Sequence, residues 1–290
     1  MVSSQGQPIQ PIWVTVCVPK DAVPGQYSGF LNIASGAASA KVDVKLKVVD
    51  WVLPETRDFA SHMGLFQSPD TVALKYKVPM WSEEHWRLME KSFALMGQWG
   101  NKEVYITCID KTHLGNEHSM VRYLKQEGGS YRPDFSIAER YLDLALKYFG
   151  KPPVIGLYVW EYASGYGWHA HPGPEDDPKW NIAQKEAAAF TVLDPKTGEL
   201  SEGKVPFWGT PESVAFWRPL VEGMRDILRK RGLEKSLMLG VAGDARPSKT
   251  AEADFKTVAP GVKVPLDWQD QSERVFALAG EVAAKLGIGK

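Results

Sequence analysis

Hydrophobic and polar positions change their period once along this chain, near residue 54. Before that point they alternate. Lys41-Val42-Asp43-Val44-Lys45-Leu46-Lys47-Val48-Val49 sets charge against aliphatic side chains without a break, the two-residue period of a strand with one covered face. Residues 11–18 and 27–33 alternate in the same way, with β-branched and aromatic residues on one side, a composition that suits a pleated, half-buried surface. Asp21-Ala22-Val23-Pro24-Gly25 and Ser35-Gly36-Ala37 are turn sequences, proline fixing φ and glycine reaching positive φ. Three short strands predict part of an antiparallel, Ig-like β-sandwich over residues 1–54. A complete sandwich takes about seven, so its opening strands are expected to lie outside this sequence.

From residue 55 onward, strand-like runs alternate with helical periods. The runs are residues 59–66, 103–109, 154–160, 237–243 and 262–266. The first helix is capped by Ser82, has Glu83 and Glu84 in its first turn, and buries Trp86, Met89, Phe93 and Met96. The next opens on Ser136-Ile137-Ala138-Glu139, a capping-box pattern, and stops at Gly150. A third starts at Thr210-Pro211 and ends in Arg229-Lys230-Arg231, cations suited to a C-terminal dipole, with Pro219 expected to kink it. Shorter helices are predicted over 249–259 and 270–286. Hairpins around Gly128-Gly129 and Asp194-Pro195-Lys196-Thr197-Gly198 interrupt the alternation. Repeated βα units imply a parallel sheet. The fold class is therefore α/β: a partial (β/α)8, TIM-type barrel over 55–290, preceded by the partial sandwich. The runs are fewer than the eight a closed barrel requires, and the chain is expected to be truncated at both ends.

Composition narrows the function. The 290 residues carry 34 Lys+Arg against 35 Asp+Glu, a formal net charge of −1. So even a balance offers no broad attraction for nucleic acid or anionic lipid. No apolar run approaches the roughly 20 residues of a membrane span, and the first residues lack the basic and apolar regions of a signal peptide. Cys17 and Cys108 have no redox or metal-ligand spacing. The unusual count is 11 Trp, more than a core alone requires.

Sites in βα folds form at the C-terminal ends of the strands. Here those ends carry Asp110, Glu161 after Trp160, Asp244 after Gly243, and Asp267 beside Trp268. Two carboxylates flanking one glycosidic bond, one protonated and one ionised, is the arrangement of a glycosidase. Glu161 is the candidate general acid, because glutamate is a poor cap and turn former placed where an apolar strand meets a loop. Asp244 is the candidate ionised partner. Asp110 is a candidate substrate contact, although ordinary cap or turn chemistry accounts for it more readily. Tyr158, Trp160, Trp168, His169 and Arg246 are candidate sugar contacts, aromatic faces matching the C–H faces of sugar rings. Trp208 is grouped with them, although core filling explains it as well. His169-x-His171 lies in a loop away from the first strand end, where barrel zinc hydrolases place such a pair, so no metal and no cofactor are expected. His62 reads as a core histidine.

The run from Gln7 to Gly29, together with residues 44–49 and Asp50-Trp51-Val52-Leu53-Pro54, resembles glycoside hydrolase family 123. The Met-Leu-Gly-Val-Ala-Gly-Asp-Ala-Arg-Pro run from Met238 to Pro247 extends the likeness into the second part. The resemblance implies a β-sandwich joined to a (β/α)8 barrel, export from the cytoplasm, and exo-acting, retaining hydrolysis of β-linked N-acetylgalactosamine. In that mechanism the substrate's own 2-acetamido group is the nucleophile, oriented by an Asp, and a neighbouring Glu is the general acid. The family's pair is an adjacent Asp-Glu at a strand end. Here Asp244 is followed by Ala245 and Glu161 is preceded by Trp160. Two expectations follow: a glycoside hydrolase acting on (N-acetyl)hexosamine glycans through acids from two strands, or a non-catalytic carbohydrate-binding relative or inactive fragment. The oligomeric state is left open.

Overall fold

The computed structural model describes residues 11–61, 63–112, 114–126, 128–160, 188–240 and 249–262. The chain divides into two compact units, Met1–Pro54 and Glu55–Lys290.

In the first unit, β1 (Gly25–Ser35) and β2 (Ala38–Val48) form an antiparallel hairpin paired in register from Gly25↔Val48 to Ser35↔Ala38. Gly36, in the two-residue connection, has φ +58, where a side chain is disfavoured. The alternation sorts the two faces as the pleat demands. Leu31, Ile33, Val44, Leu46 and Val48 are partly covered, whereas the opposite face carries Lys41, Asp43, Lys45 and Lys47, with the Lys41 ammonium 3.9 Å from the Phe30 ring centroid. Residues 11–19, expected to hold a strand, belong to no described strand, and residues 11–20 are exposed. Alternation licenses a strand only where a ladder partner is available.

The second unit is a mixed α/β structure. Its parallel sheet has β3 (Glu103–Thr107), β6 (Val154–Tyr158) and β9 (Leu237–Gly240), with β6 in the middle. Residues 59–66 contribute a single parallel bridge, Met63↔Asn101, rather than a full strand. The Leu65 amide donates to the Asn101 side chain at 2.6 Å, and the Lys102 amide to the Met63 carbonyl at 2.8 Å. The side chains of Ile106, Ile155, Leu157 and Leu239 are buried, as expected of parallel strands covered on both faces.

Among the described residues, the α-helices of this unit are α1 (Pro69–Tyr76), α2 (Glu83–Gln98), α3 (Ser136–Phe149), α4 (Pro211–Lys230) and, after β9, α5 (Lys249–Val258). Ser68, Ser82 and Thr210 each accept a hydrogen bond from an amide in the first helical turn. Ser136, by contrast, is already helical. The Asp134 carboxylate accepts from its amide at 3.1 Å and takes the capping part, because Phe135 stands between them with no polar side chain. Phe93 of α2 meets the rings of Tyr141 and Phe149 edge-on. Gly97 lets α3 close in, since a Cβ there would lie 2.8 Å from the Tyr148 carbonyl. α4 continues through Pro219.

Two hairpins interrupt the βα connections. β4 (Arg122–Lys125) and β5 (Tyr131–Asp134) follow β3, while β7 (Ala189–Leu193) and β8 (Leu200–Lys204) come after β6. They join through parallel pairing of β4 with β7 into a second sheet, ordered β5-β4-β7-β8. Phe216 of α4 stacks on Tyr123 at 4.7 Å and packs on Phe190.

Candidate functional site

Parallel register fixes which edge of the sheet collects the site. Thr107 pairs with Tyr158, and Tyr158 with Gly240, so β3, β6 and β9 end level with one another. The chain leaving β3 runs through Cys108 and Ile109 to Asp110, one strand end among those that the sequence singles out. Cys108 is fully buried and its thiol is pushed up by that burial, which makes it a packing residue rather than a nucleophile.

Asp110 is buried, and its carboxylate serves as a staple. Oδ1 accepts from the Ser119 amide at 2.7 Å and from the Thr191 hydroxyl at 2.7 Å. Its own amide donates to the Ala189 carbonyl at 2.8 Å. The Thr191 amide in turn donates to the Ser119 hydroxyl at 3.2 Å, and that hydroxyl donates to the Val121 carbonyl at 2.9 Å. One carboxylate thus ties the end of β3 to β7 and to the loop that leads into β4. Burial raises the Asp110 pKa above the usual carboxylate range, against the pull of the Thr191 and Ser119 hydrogen bonds. Lys111, next in the chain, sits at φ +56 and bridges to Glu202 at 2.8 Å. Glu202 is held down to about 2 by hydrogen bonds from Lys111 and Lys204.

A second buried acid escaped the sequence reading. Asp70, in the first turn of α1, accepts from the Glu117 amide at 3.0 Å. Burial raises its pKa too, partly offset by that amide. Ser68-Pro69-Asp70, a cap followed by Pro at the first helical position, was the signal available for it. His85 is fully buried: Nδ1 accepts from the Trp81 amide at 3.0 Å, and Nε2 lies 3.0 Å from the Pro69 carbonyl, to which it donates. Burial lowers its pKa, so this imidazole is neutral and ties α1 to α2. Trp81 itself lies at φ +60 with its ring against Trp86.

The remaining sequence candidates divide sharply. Tyr158 is wholly buried and Trp160 is partly buried against the same core. Trp208 stacks on Trp217 at 5.4 Å with the rings nearly parallel, and meets Phe255 edge-on, a packing role along its described faces. Glu161, Trp168, His169, His171, Asp244, Arg246, Asp267 and Trp268 lie outside the described residues, as does His62. The structure therefore brings Asp110, Tyr158 and Trp160 to one edge of the sheet. Among the described residues, no group of three or more His, Cys, Asp or Glu side chains is arranged to hold a metal ion.

The profile of the glycoside hydrolase 123 catalytic domain matches residues 66–271, which span β3, β6, β9 and both hairpins. No curated protein matches the chain. Among solved structures, the chain is similar to a family 123 glycoside hydrolase from Clostridium perfringens that was analysed for glycolipid glycan hydrolysis, with a TM-score of 0.62 and 16% identity. The alignment covers 84% of this chain but 40% of that one, so the likeness speaks for the fold. With most of its length matched by the catalytic-domain profile, the chain belongs to glycoside hydrolase family 123.

Proposed function

We propose that this protein hydrolyses β-linked, N-acetylhexosamine-containing glycans, glycolipid glycans among them, at the C-terminal edge of the β3-β6-β9 sheet. The observation that carries the reading is the level register of Thr107, Tyr158 and Gly240, which sends the chain out of β6 and β9 on one side. Glu161 and Asp244 follow these two adjacent strands in sequence. The order Met63, β3, β6, β9 keeps the strands in chain order, which favours a partial (β/α)8 barrel over a doubly wound sheet, whose order reverses. By the same reading, the β1-β2 hairpin belongs to an antiparallel β-sandwich, and the protein works outside the cytoplasm.

In the proposed reaction, Glu161 gives its proton to the glycosidic oxygen as the bond to the anomeric carbon breaks. The substrate's acetamido oxygen closes on that carbon, and the ionised Asp244 balances the positive charge that develops. Water, deprotonated by Glu161, then opens the ring intermediate and restores the acid. The absence of an adjacent Asp-Glu pair supports a second reading, in which the chain binds sugar without cleaving it.

Release of the aryl group from an aryl β-N-acetylgalactosaminide separates the two. Glu161→Gln and Asp244→Asn are each expected to lower kcat by at least about a hundredfold, in line with the loss of acid–base or charge stabilisation. An unchanged rate in both variants would overturn these assignments. Sugar binding without turnover in the unmodified chain would favour the second reading.

A further inference from the structure

Two buried aspartates with the same task flank one exposed histidine. The amide of Glu117 donates to Asp70 at 3.0 Å, and the amide of Ser119 donates to Asp110 at 2.7 Å. His118, between them, has its own carbonyl held by the Asn116 side-chain amide at 3.2 Å. The main chain is therefore fixed at three successive residues, while the His118 residue remains exposed. Asn116 completes the lock by donating also to the Ile109 carbonyl at 2.9 Å, and its side-chain oxygen accepts from the Thr112 amide and hydroxyl.

From this geometry we infer that His118 is a sugar-contacting residue at the rim of the site, presented by a loop that is folded before substrate arrives. The inference rests on the reading of the C-terminal sheet edge as the glycan site. Asp70 opens the helix that follows the Met63 bridge, and Asp110 ends β3. The main chain at His118 is thus anchored between the end of β3 and the helix that follows the Met63 bridge.

Burying two carboxylates is costly; Asp110 also ties β3 to β7 through Thr191, and both acids fix the main chain on either side of His118. What the arrangement gains is a main chain held in one place beneath the exposed imidazole. A neutral imidazole carries one donor and one acceptor, which match a sugar hydroxyl or the carbonyl oxygen of an acetamido group. A contact formed by a pre-ordered loop avoids the entropy of ordering that loop on binding. The two aspartates are positioning residues, because Asp70 accepts from the Glu117 amide and Asp110 from the Ser119 amide and the Thr191 hydroxyl.

The test uses the full chain. His118→Ala is expected to weaken binding of N-acetylgalactosamine, and to raise KM for the aryl glycoside, by roughly tenfold, the worth of about one hydrogen bond at the upper end of its usual range. The thermal midpoint should stay unchanged, since the residue is exposed. In the unmodified protein, titrating N-acetylgalactosamine should move the His118 ring resonances in the NMR spectrum. If the unmodified chain binds and cleaves but H118A matches it in affinity and KM, with the ring signals unmoved, this inference alone is overturned. A chain that neither binds nor cleaves overturns the site reading along with it.

Discussion

The β1-β2 hairpin and the β3-β6-β9 sheet both carry apolar side chains along their strands, yet they bury them differently. In the hairpin, Phe30, Val42 and Tyr27 remain exposed, and neither β1 nor β2 has a buried residue. In the parallel sheet, Ile106, Ile155 and Leu157 are wholly inaccessible. Backbone pairing is complete in the hairpin, with eleven matched positions on each strand. Ladder hydrogen bonds alone thus do not distinguish the two regions; burial of side chains does. The buried region is also where the carboxylates are costly and where their geometry is most constrained.

That contrast is broken most forcefully by truncating an aromatic ring in each region. Phe93→Ala removes a ring that is 1% exposed and wedged between Tyr141 and Phe149, and should cost about 3–5 kcal/mol. Phe30→Ala removes one that is 58% exposed, and should cost about 0.5 kcal/mol or less. Urea midpoints of the two variants measure the difference, and equal losses would mean that the hairpin is covered in solution.

A smaller effect sharpens the comparison at Asp110. Asp110→Ala leaves the Thr191 hydroxyl without its acceptor and the Ser119 amide with only the Thr191 hydroxyl oxygen, and should cost about 2–3 kcal/mol. Asp110→Asn keeps an oxygen for both and should cost less. The sign of the pH dependence follows from the raised carboxyl. The folded state holds this proton more tightly than the unfolded chain, so its contribution to stability is complete below the unfolded value and is lost as pH rises through the folded one. D110N cannot ionise and should gain on the unmodified chain as pH rises above the ordinary aspartate value of about 4. A constant gap across that range would mean that the Asp110 carboxyl is not raised.

Much of this was legible in the sequence, and the failures have physical reasons. The caps at Ser82 and Thr210, the apolar stripe of Trp86, Met89, Phe93 and Met96, and the turns at Gly128-Gly129 and Asp194–Gly198 are local signals, and each holds in the structure. Parallel pairing of Tyr123 with Val192 has no local signal, because it joins hairpins set far apart in the chain. Residues 11–18 alternate without forming a described strand, since periodicity describes a face and not a partner. At the site, Asp110 was legible as a strand-end acid, but its role as a staple depends on Ser119 and Thr191, which no motif links to it. Asp70 and His118 escaped because their meaning lies in two backbone amides that only the folded chain brings to them.

On the proposed reading, this protein meets its glycan at the C-terminal edge of the parallel sheet. A crystal structure of the full chain soaked with N-acetylgalactosamine tests it directly. The sugar should sit beyond Asp110 and Trp160, within hydrogen-bond reach of His118, with Glu161 and Asp244 on either side of the anomeric carbon. Density for the sugar at the opposite edge, beside Glu103 and Val154, or on the β1-β2 hairpin alone, would contradict the account.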